Sequence, residues 1–133
     1  MLRLIARSAD IANVGWNMGL GDLEERIGEL EERCKAAGRD PGAVLKSTNY
    51  DLLLGSTDRK LEDRIRSTES KFRRRFGSMK AYRAKIGNGL VGTPEECAEK
   101  LDRLKAIGID LVFLQPLDSP KADSVEILAD AIM

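Results

Sequence analysis

Apolar residues recur along this chain with two periods, and the switches between them mark its elements. Leu2, Leu4, Ile5 and Ala9 suggest the last turns of a helix that begins at the first residue. Asp10 closes it ahead of a short strand, Ile11 to Val14. After the glycine-rich loop Gly15 to Gly21, Asp22 opens a helix whose residues Leu23, Ile27, Leu30, Cys34 and Ala37 keep one apolar face until Gly38. Arg39-Asp40-Pro41-Gly42 is turn chemistry. A strand follows within Leu45 to Leu54, and its wholly apolar end, Leu52-Leu53-Leu54, implies burial on both faces.

The segment from Leu90 to Asp118 is the best punctuated. Thr93 can accept from the amide of Glu96 while Glu96 reaches back, a capping box, and Pro94 suits the first helical position, where no amide donor is needed. Cys97, Leu101, Leu104 and Ile107 share a face, Gly108 stops the helix, and the strand Leu111 to Leu114 follows after Asp110. Between Ser56 and Gly89 the character differs. Leu61, Ile65, Thr68, Phe72 and Phe76 mark a charged amphipathic helix, and Ser78 to Lys85 a second short one. A final helix carries Val125, Ile127, Leu128, Ala131 and Ile132, after the turn Ser119 to Asp123.

The expected order is α β α β (α α) α β α, with three strands. Strands alternating with helices imply a parallel sheet, because parallel neighbours need crossovers and a helix is the usual one. The fold class is therefore α/β, read as one unit over residues 1–133 with a helical excursion at 56–89. The length suits one domain but falls short of an eight-stranded barrel.

Composition narrows the chemistry. The 22 basic and 22 acidic residues balance, so no global field draws the protein to nucleic acid or an anionic membrane. No apolar run spans a bilayer and no secretory h-region opens the chain, so a cytoplasmic protein is expected. Histidine is absent, which removes the commonest general base, metal ligand and nucleophile activator. The two cysteines sit on apolar helix faces, as buried thiols rather than as a disulfide or metal site. Any chemistry then rests on a cofactor, a carboxylate or another chain.

Four segments in order, Leu2-Arg3-Leu4-Ile5-Ala6-Arg7-Ser8-Ala9-Asp10 running into Trp16-Asn17, Cys34-Lys35-Ala36-Ala37-Gly38-Arg39-Asp40-Pro41, Gly92-Thr93-Pro94-Glu95-Glu96 and Gly108-Ile109-Asp110, resemble the bacterial luciferase-like monooxygenase family. The resemblance implies a partial (βα)8 barrel: the C-terminal portion, with strands six to eight and the family's helical insertion at 56–89. It implies flavin mononucleotide or the deazaflavin coenzyme F-420 as cofactor. The family's phosphate-binding glycine segment would precede Met1. The predicted sixth strand places Trp16 and Asn17 at the barrel mouth, Trp16 to stack on a ring system and Asn17 to bond a polar edge. Packing of Trp16 on the next helix and turn support by Asn17 is the competing account. Gln115, ending the last strand, can offer its amide to a ligand or simply end the strand. Tyr50 and Asp51, inside a strand, read as a buried, hydrogen-bonded polar pair rather than a general base.

The basic cluster Lys71 to Phe76, with Lys80, Arg83 and Lys85, has the charge to bind phosphates of a nucleic acid or a polyanionic coenzyme tail, but Phe72 and Phe76, four apart, read as core anchors and the arginines between them as a solvated face. The acidic stretch Glu24 to Glu32 is an exposed face with partners such as Glu29 and Arg33. Two functions remain open: part of a flavin- or F-420-dependent oxidoreductase that a second chain completes, or a non-catalytic half-barrel that self-associates through its open sheet edges.

Overall fold

The computed structural model describes residues 1–118 and 123–133, with side chains outside 73–76 and Met79. The order is α1 (Leu2–Ser8), β1 (Ile11–Trp16), α2 (Leu20–Ala36), a 3-10 turn (Pro41–Ala43), β2 (Leu45–Leu54), α3 (Asp58–Phe76), α4 (Met79–Ile86), β3 (Leu90–Gly92), α5 (Pro94–Ala106), β4 (Leu111–Pro116) and α6 (Asp123–Ile132). The capping box at Thr93 is present in both directions, and Gly38 and Gly108 end α2 and α5 with positive φ, where a Cβ would be strained.

Three boundaries differ from expectation. β1 runs on to Trp16, so Trp16 ends a strand instead of standing in a loop. α2 starts at Leu20 behind Gly19, two residues earlier than Asp22, which falls in its first turn. A fourth strand forms at Leu90–Gly92. Three residues with two glycines nearby carry no readable alternation, and only pairing with β2 makes them a strand. The turn read at Ser119 to Ala122 and the side chain of Phe76 lie outside what is described.

All strand pairs are parallel, and β2 is central to each. Odd-numbered residues of β2 bond toward β1: Leu45 N–H donates to Asp10 O, and Asn49 O accepts from Asn17 N–H. Even-numbered ones bond toward β4, with Lys46 O accepting from Asp110 N–H and Leu52 O from Leu117 N–H. Gly55 N–H donates to Gly92 O, so β3 lies on β1's side, beyond the point where β1 stops.

The register sorts the sheet into two faces. Ala12, Val14, Tyr50, Leu52, Leu54 and Leu90 join the main core beneath α1, α2, α5 and α6. The opposite face carries Ile11 beside Leu45, Asn13 beside Ser47 and Leu111, Trp16 beside Asn49 and Phe113, and Asp51 beside Gln115. At its C-terminal end α3 and α4 cover this face, with Ile65, Tyr82 and Ile86 packed on Leu53 and Leu117. Leu53 thus serves a second core, which is why all three leucines are fully buried. Ile11, Leu45, Leu111 and Phe113, nearer the other end, are exposed.

Candidate functional site

The C-terminal strand ends and the helical insertion enclose a cavity of about 300 Å³ lined by Trp16, Asp51, Phe72, Tyr82, Lys85, Ile86, Gln115 and Leu117. Trp16 comes from the end of β1, Asp51 from β2 and Gln115 from β4. Phe72 is on α3, and Tyr82, Lys85 and Ile86 are on α4. Two of the three residues singled out from the sequence, Trp16 and Gln115, therefore meet at one site.

Asn17 is placed differently. It is buried, with φ 47°, a left-handed conformation that asparagine tolerates better than most residues. Its backbone N–H still bonds Asn49 O at 2.9 Å, but the chain then leaves the sheet. The next inward-pointing amide of β2, Asp51 N–H, falls in the gap between β1 and β3 and donates to Asn17 Oδ1 at 2.9 Å. Asn17 Nδ2 donates to Asp51 Oδ2 at 2.7 Å. The side chain thus replaces a missing rung of the ladder and fixes the Asp51 carboxylate. Gly89 closes over this junction, since a Cβ there would lie 2.8 Å from Asp51 O and 3.0 Å from Ile86 O.

Tyr50 and Asp51 are both buried and hydrogen-bonded, but not to each other, because neighbours on a strand point to opposite faces. Tyr50 Oη donates to Met18 O at 2.5 Å on the outer face. Its ring lies 4.6 Å beneath Lys100 Nζ, which donates to Asn88 O and Gly89 O and so ties α5 to the loop entering β3.

The two helices of the insertion are tied to each other and, through α3, to the end of β4. Phe72 and Tyr82 stack with centroids 5.8 Å apart, and the Tyr82 hydroxyl shares a 2.6 Å hydrogen bond with Thr68 Oγ1. Burial raises the Tyr82 pKa, and the nearby Asp51 charge adds to that. Arg64 of α3 donates to Asp118 Oδ2, just past β4, at 2.9 Å. The same carboxylate accepts from Ser124 N–H and Oγ–H, while Ser124 Oγ accepts from Leu54 N–H at the end of β2.

Chemically, the cavity combines one carboxylate, one ammonium, one primary amide and three aromatic rings. Such a set suits a planar ring system with a polar edge. The sequence reads Asp51 as a buried polar partner and Phe72 and Lys85 as parts of an amphipathic, solvated helical segment; the fold of 56–89 over the strand ends is what sets Phe72, Tyr82 and Lys85 beside Asp51 around one cavity. Among the described residues no group of three or more His, Cys, Asp or Glu could hold a metal ion. Cys34 and Cys97 are buried free thiols, and no helix among the described residues is long and apolar enough to cross a membrane.

The fold recurs in several solved structures. Long-chain alkane monooxygenase LadA superposes with TM-score 0.75 at 16% identity over 97% of this chain and 37% of its own. For the EDTA monooxygenase EmoA from Chelativorans sp. BNC1 the values are 0.71, 17%, 98% and 42%. For the coenzyme F-420 dependent tetrahydromethanopterin reductase from Methanopyrus kandleri they are 0.68, 17%, 99% and 47%. Protein-family models and curated proteins return no match to the sequence. The chain has the α/β fold of part of a luciferase-like barrel, and it spans less than half the length of the chains it matches. That extent agrees with the C-terminal portion to which the sequence resemblance points.

Proposed function

We propose that this chain is the C-terminal part of a luciferase-like oxidoreductase that uses flavin mononucleotide or coenzyme F-420, and that it forms one wall of the cofactor and substrate site. The supporting observation is the cavity at the C-terminal strand ends, where such barrels assemble their sites, with Trp16 and Gln115 brought together beneath the insertion. The tetrahydromethanopterin reductase that shares the fold depends on F-420, which fits this reading. When bound, the cofactor supplies hydride transfer or oxygen activation. The chain's own residues bind and orient. Trp16 offers a stacking surface, Gln115 an amide donor, and Phe72, Tyr82 and Ile86 exclude water from the inner end. Asn17 acts behind them by fixing Asp51.

Four strands do not close a barrel, so turnover requires further strands at the edges of β1 and β4. The exposed lumen face favours a second reading for the isolated chain: a homo-oligomer that covers these edges and performs no redox chemistry. Cofactor binding separates the two. Saturable quenching of flavin mononucleotide or F-420 fluorescence, or a yellow chromophore that copurifies, is expected for the first. Failure to bind either, in a compact dimer, overturns it for this chain.

A further inference from the structure

Asp51 and Lys85 line the cavity together, yet neither has an ionic partner among the described residues. Asp51 is only 8% exposed. Asn17 occupies one carboxylate oxygen and so holds the side chain in place, and Asp51 also lines the cavity, where its second oxygen is the acceptor it can offer. A buried carboxylate is costly unless something donates to it, and one acceptor beside two donors, Lys85 Nζ and the Gln115 amide, is a readable pattern. The rings of Trp16, Phe72 and Tyr82 in the cavity wall suit a flat apolar group beside that polar set.

We infer that this cavity reads a lactam edge, an N–H flanked by carbonyl oxygens, with Asp51 accepting from the ring N–H and Lys85 and Gln115 donating to the carbonyls. The inference rests on the proposed cofactor reading, since flavin and deazaflavin rings both carry such an edge. It assigns to Asp51 and Lys85 a recognition role, whereas stacking alone would be indifferent to the edge.

Trp16 is the sole tryptophan and lies in the cavity wall, so its fluorescence reports occupancy directly. Lumiflavin is the suitable probe, because it has the ring system without the phosphate tail. Its partner is the N3-methyl derivative, in which the lactam N–H is blocked and the ring face is unchanged. Lumiflavin is expected to quench Trp16 saturably, after correction with free tryptophan, and about tenfold more tightly than the methylated ring, the penalty of leaving a buried acceptor unpaired. Lys85→Met, at an exposed position and therefore expected to keep the wild-type circular dichroism, should weaken lumiflavin about fivefold, within the range of a hydrogen bond to a charged group. Equal affinity for the two rings overturns the edge assignment while leaving the cofactor reading standing. Quenching by neither overturns both.

Discussion

At the scale of the residue, Asn17 shows how one side chain can hold two strands in place where the ladder is interrupted. Replacing it by alanine removes both bonds to Asp51 and keeps an unfavourable positive φ, a loss of roughly 2–4 kcal/mol. Asn17→Gly loses the same bonds but relieves the backbone, so it should be more stable than Asn17→Ala by about 1 kcal/mol. Urea unfolding of the two variants checks both the loss and the order. The sequence offered Asn17 as a ligand-facing residue or a turn support. It could not show the bond to Asp51, because the partners are 34 positions apart and meet only through the β1–β2 register.

Buried titratable groups set a second expectation at this scale. Burial pushes the Cys97 thiol from 9.0 up to about 12, with the Glu96 charge adding to the shift and Lys100 opposing it. Burial alone pushes the Tyr50 phenol from 10.0 up to about 12. Both values are raised in the folded state, so their contribution to stability is whole below the ordinary values and drains away as pH climbs toward about 12. Lys100 acts in the other direction: burial lowers its pKa, so its charged form is disfavoured in the fold and its contribution is lost as pH falls. Alkaline unfolding is expected within the window from 9.0 to about 12, and Cys97→Ala should move the midpoint upward. Circular dichroism across that range tests this, and an unmoved midpoint would assign the transition to other groups.

At the scale of the element, the insertion matters most. α3 leaves β2 through Gly55, where a Cβ would overlap Leu61 N and lie 2.5 Å from Leu61 Cα. These are backbone atoms of the helix, so no rotamer change relieves the clash. Gly55→Ala should therefore lift the start of α3 off the sheet and cost about 1–3 kcal/mol, the usual penalty of overpacking. Faster amide exchange in α3 and α4, with α5 unaffected, would show that the loss is local. α5 was legible because its signals are local: a capping box, a periodic face and a glycine stop within sixteen residues of chain, 93–108. β3 was not legible, because a three-residue strand carries no period and exists only through its pairing with β2.

At the scale of the whole molecule, the two faces of the sheet have opposite fates. One is sealed by four helices. The other is sealed only where α3 and α4 lie, leaving Phe113 53% and Ile11 49% exposed beside two unpaired parallel edges. If a second copy covers this face, the chain should sediment as a dimer and Phe113→Asp should convert it to a folded monomer, because a charge there is harmless in water and costly in an interface. A wild-type monomer would rule that partner out and leave the face to the remaining strands of a barrel.

The sequence by itself determined the alternation of helices and strands, the caps and stops of α5, the two-sided burial of Leu52 to Leu54 and the resemblance to a luciferase-like barrel. All of these rest on local signals: hydrogen bonds within a turn, periods of two or 3.6, and short ordered motifs. The tertiary structure decided what distance along the chain conceals. It placed β3 on the edge that β1 vacates, spent the Asn17 side chain on Asp51, and folded residues 56–89 over the strand ends so that Asp51, Tyr82 and Lys85 joined Trp16 and Gln115 around one cavity. The reason is physical. A side chain's facing follows from its own strand or helix, but what it faces depends on which distant element packs opposite.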